Sequence, residues 1–135
     1  MKEFRAASAL GERVSGRALV AADNFSARYD LDRISGIFSR AEHKLAGRSY
    51  VGLVLVLNTV KGGVASAWML REMKSRGVVP AAFAFNRVNP IMVQGAAFAG
   101  ITMMSGFDVD ITVAIPDGAQ VALEPDATPP VLCLF

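Results

Sequence analysis

The sequence predicts an α/β fold in a single compact domain, because buried strands alternate with helical segments through the middle of the chain. The first observation is a continuous apolar run at residues 51–57, whose length and β-branched content favour a strand buried on both faces. The second is a pair of shorter apolar runs, at residues 81–85 and 101–104, each preceded by a helical pattern. This order indicates right-handed βαβ units, and 135 residues suffice for one domain.

Both predicted helices have ends that the sequence marks. The first helix is predicted over residues 64–76, and Gly77 follows it at a natural C-cap position. The second begins at Asn89 and Pro90, because asparagine is a good N-cap and proline fits the first helical turn. Gly100 ends this second helix.

Shorter β segments on both sides of this core indicate an additional β-layer beside it. We expect them at residues 16–20, 111–115, 120–124 and 131–135, with a turn at residues 116–118. Residues 22–47 are rich in Asp, Ser, Arg and Gly, and we predict loops and short strands there.

The composition excludes two classes of protein and suggests a partner. Apolar residues make up 53% of the chain, so it is not a disordered tail, and the surplus over the usual ~45–50% indicates apolar surface meant for another protein. There are 14 Lys and Arg residues against 12 Asp and Glu residues, for a formal charge of +2. Nucleic-acid binding needs a clustered basic face, so no nucleic-acid partner is expected.

The single cysteine, Cys133, permits neither an internal disulfide nor a cysteine metal cage, so we expect no metal bound by this chain. The first ten residues lack the layout of a signal peptide. The longest strongly apolar run is far shorter than the ~18–20 residues that span a bilayer. These features predict a cytoplasmic protein with no membrane partner.

Residues 58–66 join the first buried strand to the first helix, and we predict an anion-binding site there. Lys61 brings a positive charge, while Gly62 and Gly63 let a ligand approach the unpaired amides of the helix N-terminus. The spacing matches neither the phosphate-binding P-loop nor the dinucleotide-binding glycine pattern. The alternative interpretation is a glycine-rich turn with a solvated lysine.

The first helix has two different faces. Its periodicity directs one set of residues toward the core and another to the opposite side. The first set is Ser66, Met69, Leu70 and Met73, and the second is Val64, Trp68, Arg71 and Ser75. An outward tryptophan beside an arginine is typical of a contact surface, although the tryptophan could also cover a loop of its own domain.

No catalytic set of nucleophile and base is evident. The only histidine, His43, has no visible partner in the sequence, so a structural role is favoured over a catalytic one. The alternating charges of residues 28–33 fit a solvated loop better than a cation site.

Eight short motifs occur in order along nearly the whole chain. They are GRALV (16–20), DRISG (32–36), HxLxGxS (43–49), GxVLV (52–56), KG (61–62), GVxPxA (77–82), NPIxVxGAxxAGI (89–101) and DGAxV (117–121). In this order they resemble the small subunit, or swivel domain, of aconitase X. The resemblance implies a swivelling β/β/α domain of the aconitase type over residues 1–135, which pairs with a large aconitase X catalytic subunit.

In that family the large subunit holds an iron or iron–sulfur centre through cysteines, and the active site forms between the two subunits. The resemblance therefore implies a hydro-lyase subunit that binds no cofactor itself and is inactive alone. Its substrate would be a small hydroxy-carboxylate, which is cis-3-hydroxy-L-proline in bacterial members and phosphomevalonate in archaeal ones. Residues 61–66 and 89–95 are more similar to the hydroxyproline type.

One departure from the family concerns the catalytic base, which is a serine in many relatives. Here Gly63 and Val64 occupy the corresponding positions, and the nearest hydroxyl belongs to Ser66. Either Ser66 serves as the catalytic base after a local shift, or the large subunit supplies the base, or the substrate differs. Lys61, Gly62 and Gly63 are the expected substrate-binding residues, and Asn89 is expected to line the same edge.

Two other functions remain as alternatives to a hydroxyproline dehydratase subunit. The chain could be the small subunit of a phosphomevalonate dehydratase. It could also be a non-catalytic domain that binds a protein or a small carboxylate and has lost the serine.

Overall fold

Seven strands close into a barrel, and two helices cover the outer face of its parallel half. The computed structural model describes residues 1–135. In chain order the elements are β1 (Lys2–Leu10), β2 (Val14–Val20), β3 (Leu31–Asp32), β4 (Ile37–Phe38), β5 (Val54–Thr59), α1 (Val64–Arg76), β6 (Ala82–Arg87), α2 (Pro90–Ala99), β7 (Thr102–Phe107), α3 (Ile111–Ala114), β8 (Gln120–Glu124) and β9 (Val131–Leu134). The barrel order is β1-β7-β6-β5-β2-β8-β9, and β9 pairs with β1 to close it.

The predicted βαβ core is confirmed. Strands β2, β5, β6 and β7 are parallel neighbours, with α1 connecting β5 to β6 and α2 connecting β6 to β7. Strands β8, β9 and β1 run antiparallel and form the β-layer that completes the barrel. No apolar run in the sequence predicts β1, because Ala6 is its only fully buried residue.

Two cores lie on opposite faces of β5. Val54 and Val56 point into the barrel, where they pack with residues from the antiparallel strands. Leu55 and Leu57 point outward and pack beneath the two helices. This explains the continuous apolar run, since both faces of the strand are buried.

Both long helices have the predicted ends. Gly77 and Gly100 follow α1 and α2 in the left-handed conformation, with φ of 73° and 70°. The Asn89 side chain accepts a hydrogen bond from the Met92 amide, and Pro90 is the first residue of α2. None of the three helices has the length and apolarity needed to cross a membrane.

Residues 22–47 form loops with one small hairpin, β3–β4, as predicted. The segment folds over the outer core through Phe25 and Phe38, whose ring centroids lie 6.4 Å apart. An ion pair of 2.6 Å between Arg40 and Asp30 ties its two halves together. The segment therefore supports the first turn of the chain after β5, which Phe25 contacts directly.

The predicted strand over residues 111–115 is wrong, because α3 forms a single helical turn there. Asp110 caps it by accepting a hydrogen bond from the Thr112 amide. Ile111 and Ile115 are both buried in the barrel core, and residues four apart share one face of a helix. Val113, between them, is exposed, so the alternation of apolar residues is not that of a half-buried strand.

The first buried strand also begins later than predicted. Val51 and Gly52 form a turn, with φ of +70° at Gly52, and β5 starts at Val54. Strands β6 and β7 continue beyond their apolar runs, to Arg87 and Phe107. Both strand ends contribute to the candidate site, through Asn86 and Arg87 on β6 and Phe107 on β7.

Candidate functional site

The turn between β5 and α1 is held in one conformation. The Lys61 amide donates a hydrogen bond of 2.7 Å to the Phe25 carbonyl. Gly62 has φ of +129°, a conformation that strongly favours glycine. A Cβ placed on Gly63 would meet no atom within 4 Å. The turn is thus anchored on one side and open on the other.

The first turn of α1 has no partner for its amides within the chain. Gly63 provides no side-chain cap, and no acidic residue lies in the first turn. Lys61 is exposed and takes part in none of the protein's ion pairs. The helix N-terminus therefore combines unpaired amides and the positive end of the helix dipole with an exposed lysine two residues before its first cap position, which are the features that anion sites use.

Asn89 connects this turn to the start of α2. Its Nδ2 lies 3.4 Å from the Gly62 carbonyl and 3.5 Å from the Val60 carbonyl, while its Oδ1 accepts from the Met92 amide at 2.9 Å. Asn89 therefore lies at the predicted edge, where both ends of its amide contact the protein. Asn89 therefore helps to position the turn. Its contact with substrate stays a prediction.

Ser66 is buried and faces the core, as its helical position predicts. It lies directly beneath Gly62, so that a Cβ added there would come within 2.6 Å of Ser66 Oγ. The structure thus places Ser66 close to the turn but under its backbone. Its catalytic role stays a prediction.

A polar crevice of about 530 Å³ lies at the carboxyl ends of β5, β6 and β7. Asn58, Asn86 and Asp110 line it on the barrel side. Asn86 Nδ2 donates to Asp110 Oδ1 at 2.8 Å and to Asn58 Oδ1 at 3.1 Å. Ligands commonly bind in crevices at this edge of parallel sheets.

Of the residues that line the crevice, only Asn58 and Thr59 lie in the stretch predicted to bind an anion, although the sequence carries a signal for the neighbouring strand as well. Asn58 and Thr59 follow one buried run directly, and Asn86 and Arg87 follow the next. Polar residues at the carboxyl ends of neighbouring parallel strands meet at one edge of the sheet. Asp110 comes from a third segment, and only the fold brings it there.

Arg87 is a second cation at the edge that carries Lys61. It is the register partner of Thr59, and its carbonyl accepts a hydrogen bond from the Val60 amide, one residue before Lys61. Arg87 is exposed and forms no ion pair. Two exposed cations without ion pairs therefore lie at this edge of the sheet, Lys61 after the end of β5 and Arg87 at the end of β6.

A comparison with known families decides what kind of domain this is. The model described as the aconitase X swivel domain matches residues 3–129. The chain belongs to the aconitase X swivel-domain family. The resemblance found in the sequence motifs is thereby confirmed.

Relatives of this swivel domain carry the name of an enzyme subunit. The phosphomevalonate dehydratase small subunit of Methanocella arvoryzae is 30% identical over 114 residues, which cover 84% of this chain and 86% of that protein. The phosphomevalonate dehydratase small subunit of Thermococcus gammatolerans is 27% identical over 124 residues, which cover 92% of each chain.

A solved structure shares the fold. A chain in the crystal structure of Thermococcus kodakaraensis aconitase X, in its holo-form, superposes with a TM-score of 0.88 at 23% identity. The match covers 100% of this chain and 99% of that one. The predicted β/β/α architecture of the swivel domain is confirmed.

In this swivel domain His43 is a buried structural residue. Its Nδ1 accepts a hydrogen bond from the Leu45 amide, which leaves Nε2 as the donor to the Asn24 carbonyl at 2.7 Å. The ring stacks on Phe38 at 4.6 Å between centroids. Asn24 in turn contacts the Thr59 hydroxyl, so His43 supports the base of the crevice from behind.

The acidic residues of the hairpin segment are engaged within the swivel domain itself. Asp30 accepts from the Ser26 amide and pairs with Arg40, and Asp32 accepts from the amides of Ile34 and Ser35. These contacts agree with a loop that uses its own carboxylates as hydrogen-bond acceptors.

Electrostatics keep the crevice carboxylate ionised. The Thr112 hydroxyl and the Asn86 amide donate to Asp110, and these hydrogen bonds hold the pKa of Asp110 below its usual value. The crevice therefore has a carboxylate on its barrel side and Arg87 on its other side.

Proposed function

We propose that this chain is the small subunit of an aconitase X-type dehydratase that removes water from a small hydroxy-carboxylate. The observation that carries the proposal is the open turn at Lys61, Gly62 and Gly63, which presents amides and a lysine at a helix N-terminus. The names of the curated relatives support the same reaction class. The active site is completed by a large subunit, and the small subunit is inactive alone.

In this proposal the turn binds the substrate carboxylate. Lys61 supplies a full positive charge, and the backbone amides after Gly62 and Gly63 donate hydrogen bonds to the carboxylate oxygens. Removing a proton next to a carboxylate builds negative charge on it. The same donors stabilise that charge without having to reorganise, which lowers the barrier.

The metal centre expected in this family does not fit the residues of this chain. No group of three or more His, Cys, Asp or Glu side chains is arranged to hold a metal ion. Cys133 is buried and its pKa is raised by burial, so it is a poor thiolate donor. We therefore assign any iron or iron–sulfur centre to the large subunit.

For the proton that leaves the substrate, we propose Ser66 as the base on this chain. Ser66 lies under Gly62, so it reaches substrate only when the turn shifts as the large subunit docks. In the assembled complex, Ser66→Ala should then reduce kcat strongly with little change in KM. An unchanged kcat would instead assign the base to the large subunit, and the small subunit would keep the binding role.

Two substrates are candidates, and each is favoured by a different observation. Phosphomevalonate is favoured by the names of the relatives and by Arg87, a second cation suited to a phosphate group. The hydroxyproline substrate is favoured by residues 61–66, whose form is similar to that of bacterial members. Both are small hydroxy-carboxylates, so the same turn serves either one.

Reconstitution of the complex tests the proposal. The chain is co-expressed with the large aconitase X subunit of its own source, and the purified complex is assayed for water loss from both candidate substrates. We expect the complex to dehydrate one of the two substrates. Each subunit alone should dehydrate neither. A stable complex that dehydrates neither small hydroxy-carboxylate would contradict the proposal.

A non-catalytic binding domain is the second candidate, favoured by the replacement of the family serine by Gly63 and Val64. Calorimetry on the same complex separates the two functions. Substrate binding with no turnover in the presence of an intact metal centre would favour the binding domain. Turnover in the complex would exclude it.

A further inference from the structure

An apolar groove runs between α1 and α2 on the outside of the domain. It has a volume of about 210 Å³, and its walls are formed mainly by large apolar side chains. Trp68 and Phe98 are the most prominent of these, with 62% and 72% of their surfaces exposed. The prediction of an outward tryptophan is confirmed, and it covers no loop of its own domain.

The two helices touch along the floor of the groove, which leaves its side chains no space to turn inward. A Cβ on Gly95 would lie 2.7 Å from the Ala67 Cβ, so the backbones are already as close as they can pack. Trp68 and Phe98 therefore stand above a filled interior. Contiguous exposed apolar surface of this kind marks an interaction site.

The groove begins at the candidate site. Val64, exposed at one end of the groove, directly follows Gly63, and Ile91 lies two residues after Asn89. A protein that fills the groove would thus also cover the open turn at residues 61–63. The partner that completes the active site also has to contact the open turn at residues 61–63.

The charge in the groove argues against a second copy of this chain. Arg71 is the only charged residue that lines it, and its guanidinium lies 5.8 Å from the Trp68 ring centroid without an ion pair. Two copies placed groove to groove would bring two arginines into the interface and no carboxylate from the groove lining to pair with them. A surface complementary to this groove would be apolar and would carry a negative charge opposite Arg71.

We infer that the groove between α1 and α2 is the docking surface for the large subunit. The occupant is an apolar segment of that subunit, with a carboxylate positioned opposite Arg71. The inference rests on the proposed function for the identity of the partner. The groove is formed entirely by residues of this chain, so its description does not depend on the identity of the partner.

Binding measurements between the purified subunits test the inference. Trp68→Ser and Phe98→Ser should each weaken binding of the large subunit by about tenfold or more, since aromatic anchors at interface centres contribute most of the affinity. Arg71→Glu should weaken it as well, and Arg71→Lys less. Ile34→Ser is the matched control, because Ile34 is 78% exposed in the turn of the β3–β4 hairpin and lines no part of the groove.

The outcomes distinguish a failure of the docking inference from a failure of the proposed function. If the wild-type subunits bind each other and the Trp68 and Phe98 variants bind equally well, the groove is not the docking surface. The proposed function is unaffected by that result. If the wild-type chain binds no large subunit, both are wrong. If the isolated chain forms a dimer that Trp68→Ser abolishes, a second copy occupies the groove and the inference is overturned. Circular dichroism and thermal unfolding confirm that each variant is folded.

Discussion

Ser66 lies directly under Gly62, close enough that the Ser66 hydroxyl leaves no space for a side chain at position 62. One turn of α1 therefore determines which residue the preceding turn can carry. The contact joins Ser66, which is buried, to Gly62, whose backbone conformation favours glycine. It also explains why a glycine is needed here for reasons of space as well as of backbone conformation.

Gly62→Ala should destabilise the protein. The new Cβ would lie 2.5 Å from Ser66 Cβ, and alanine is strained at φ of +129°, so we expect a loss of about 1–3 kcal/mol in the free energy of unfolding. Gly63→Ala is the matched control, since its Cβ meets nothing within 4 Å and φ is −113°. Urea unfolding of the two variants measures the difference. Equal stabilities would show that the contact is not restrictive.

Lys61→Ala should weaken substrate binding in the reconstituted complex while leaving its assembly intact. Losing one charge-assisted contact to a carboxylate typically costs about ten- to hundredfold in affinity. We therefore expect a higher KM, with partial recovery in Lys61→Arg. Lys74→Ala is the control, because Lys74 lies in the last turn of α1, far from the open turn. An unchanged catalytic efficiency in Lys61→Ala would reject the proposed role.

Arg87→Ala should discriminate between the two candidate substrates. If the complex acts on phosphomevalonate, losing the guanidinium should lower kcat/KM by about tenfold or more, because arginine pairs strongly with phosphate. Arg87→Lys keeps the charge and should recover part of the loss. If the complex acts on cis-3-hydroxy-L-proline, which has no phosphate, the same variants should have nearly wild-type kinetics. A large loss with that substrate would contradict the assignment of Arg87 to a phosphate.

The crevice carboxylate should affect stability in acid. The pKa of Asp110 is lower in the folded chain than in the unfolded one, because the Thr112 hydroxyl and the Asn86 amide donate to the carboxylate. Its contribution to stability is thus present above about pH 4 and is lost as the pH falls through the folded-state pKa. Thr112→Val should raise the pKa of Asp110, as measured by NMR titration. Thr112→Ser, which keeps the hydroxyl, should leave it low.

Local patterns predicted the centre of the fold well. The run that forms β5 is apolar because one face points into the barrel and the other lies under the helices. Gly77, Asn89 and Gly100 marked helix ends through chemistry that acts within a few residues. The same patterns failed at α3, where Asp110 caps a turn that alternating apolar residues had suggested to be a strand.

The candidate site also has one part that local sequence patterns could predict and one part that they could not. Lys61, Gly62 and Gly63 could be predicted because they are adjacent in sequence and belong to a strand-to-helix turn. The complete crevice could not, since Asp110 comes from a segment outside the parallel strands and only the fold brings it to Asn86 and Asn58.

The sequence by itself determined the βαβ order, the helix ends and the open strand-to-helix turn at residues 61–63, because each depends on residues close together in the chain. Anion binding at this turn stays a prediction. Only the tertiary structure decided the closed barrel, the second cation Arg87 beside the turn, and the Trp68 groove at the end of which the site lies. The physical reason is that strand pairing and helix packing join residues far apart in sequence, and no local periodicity records which ones will meet.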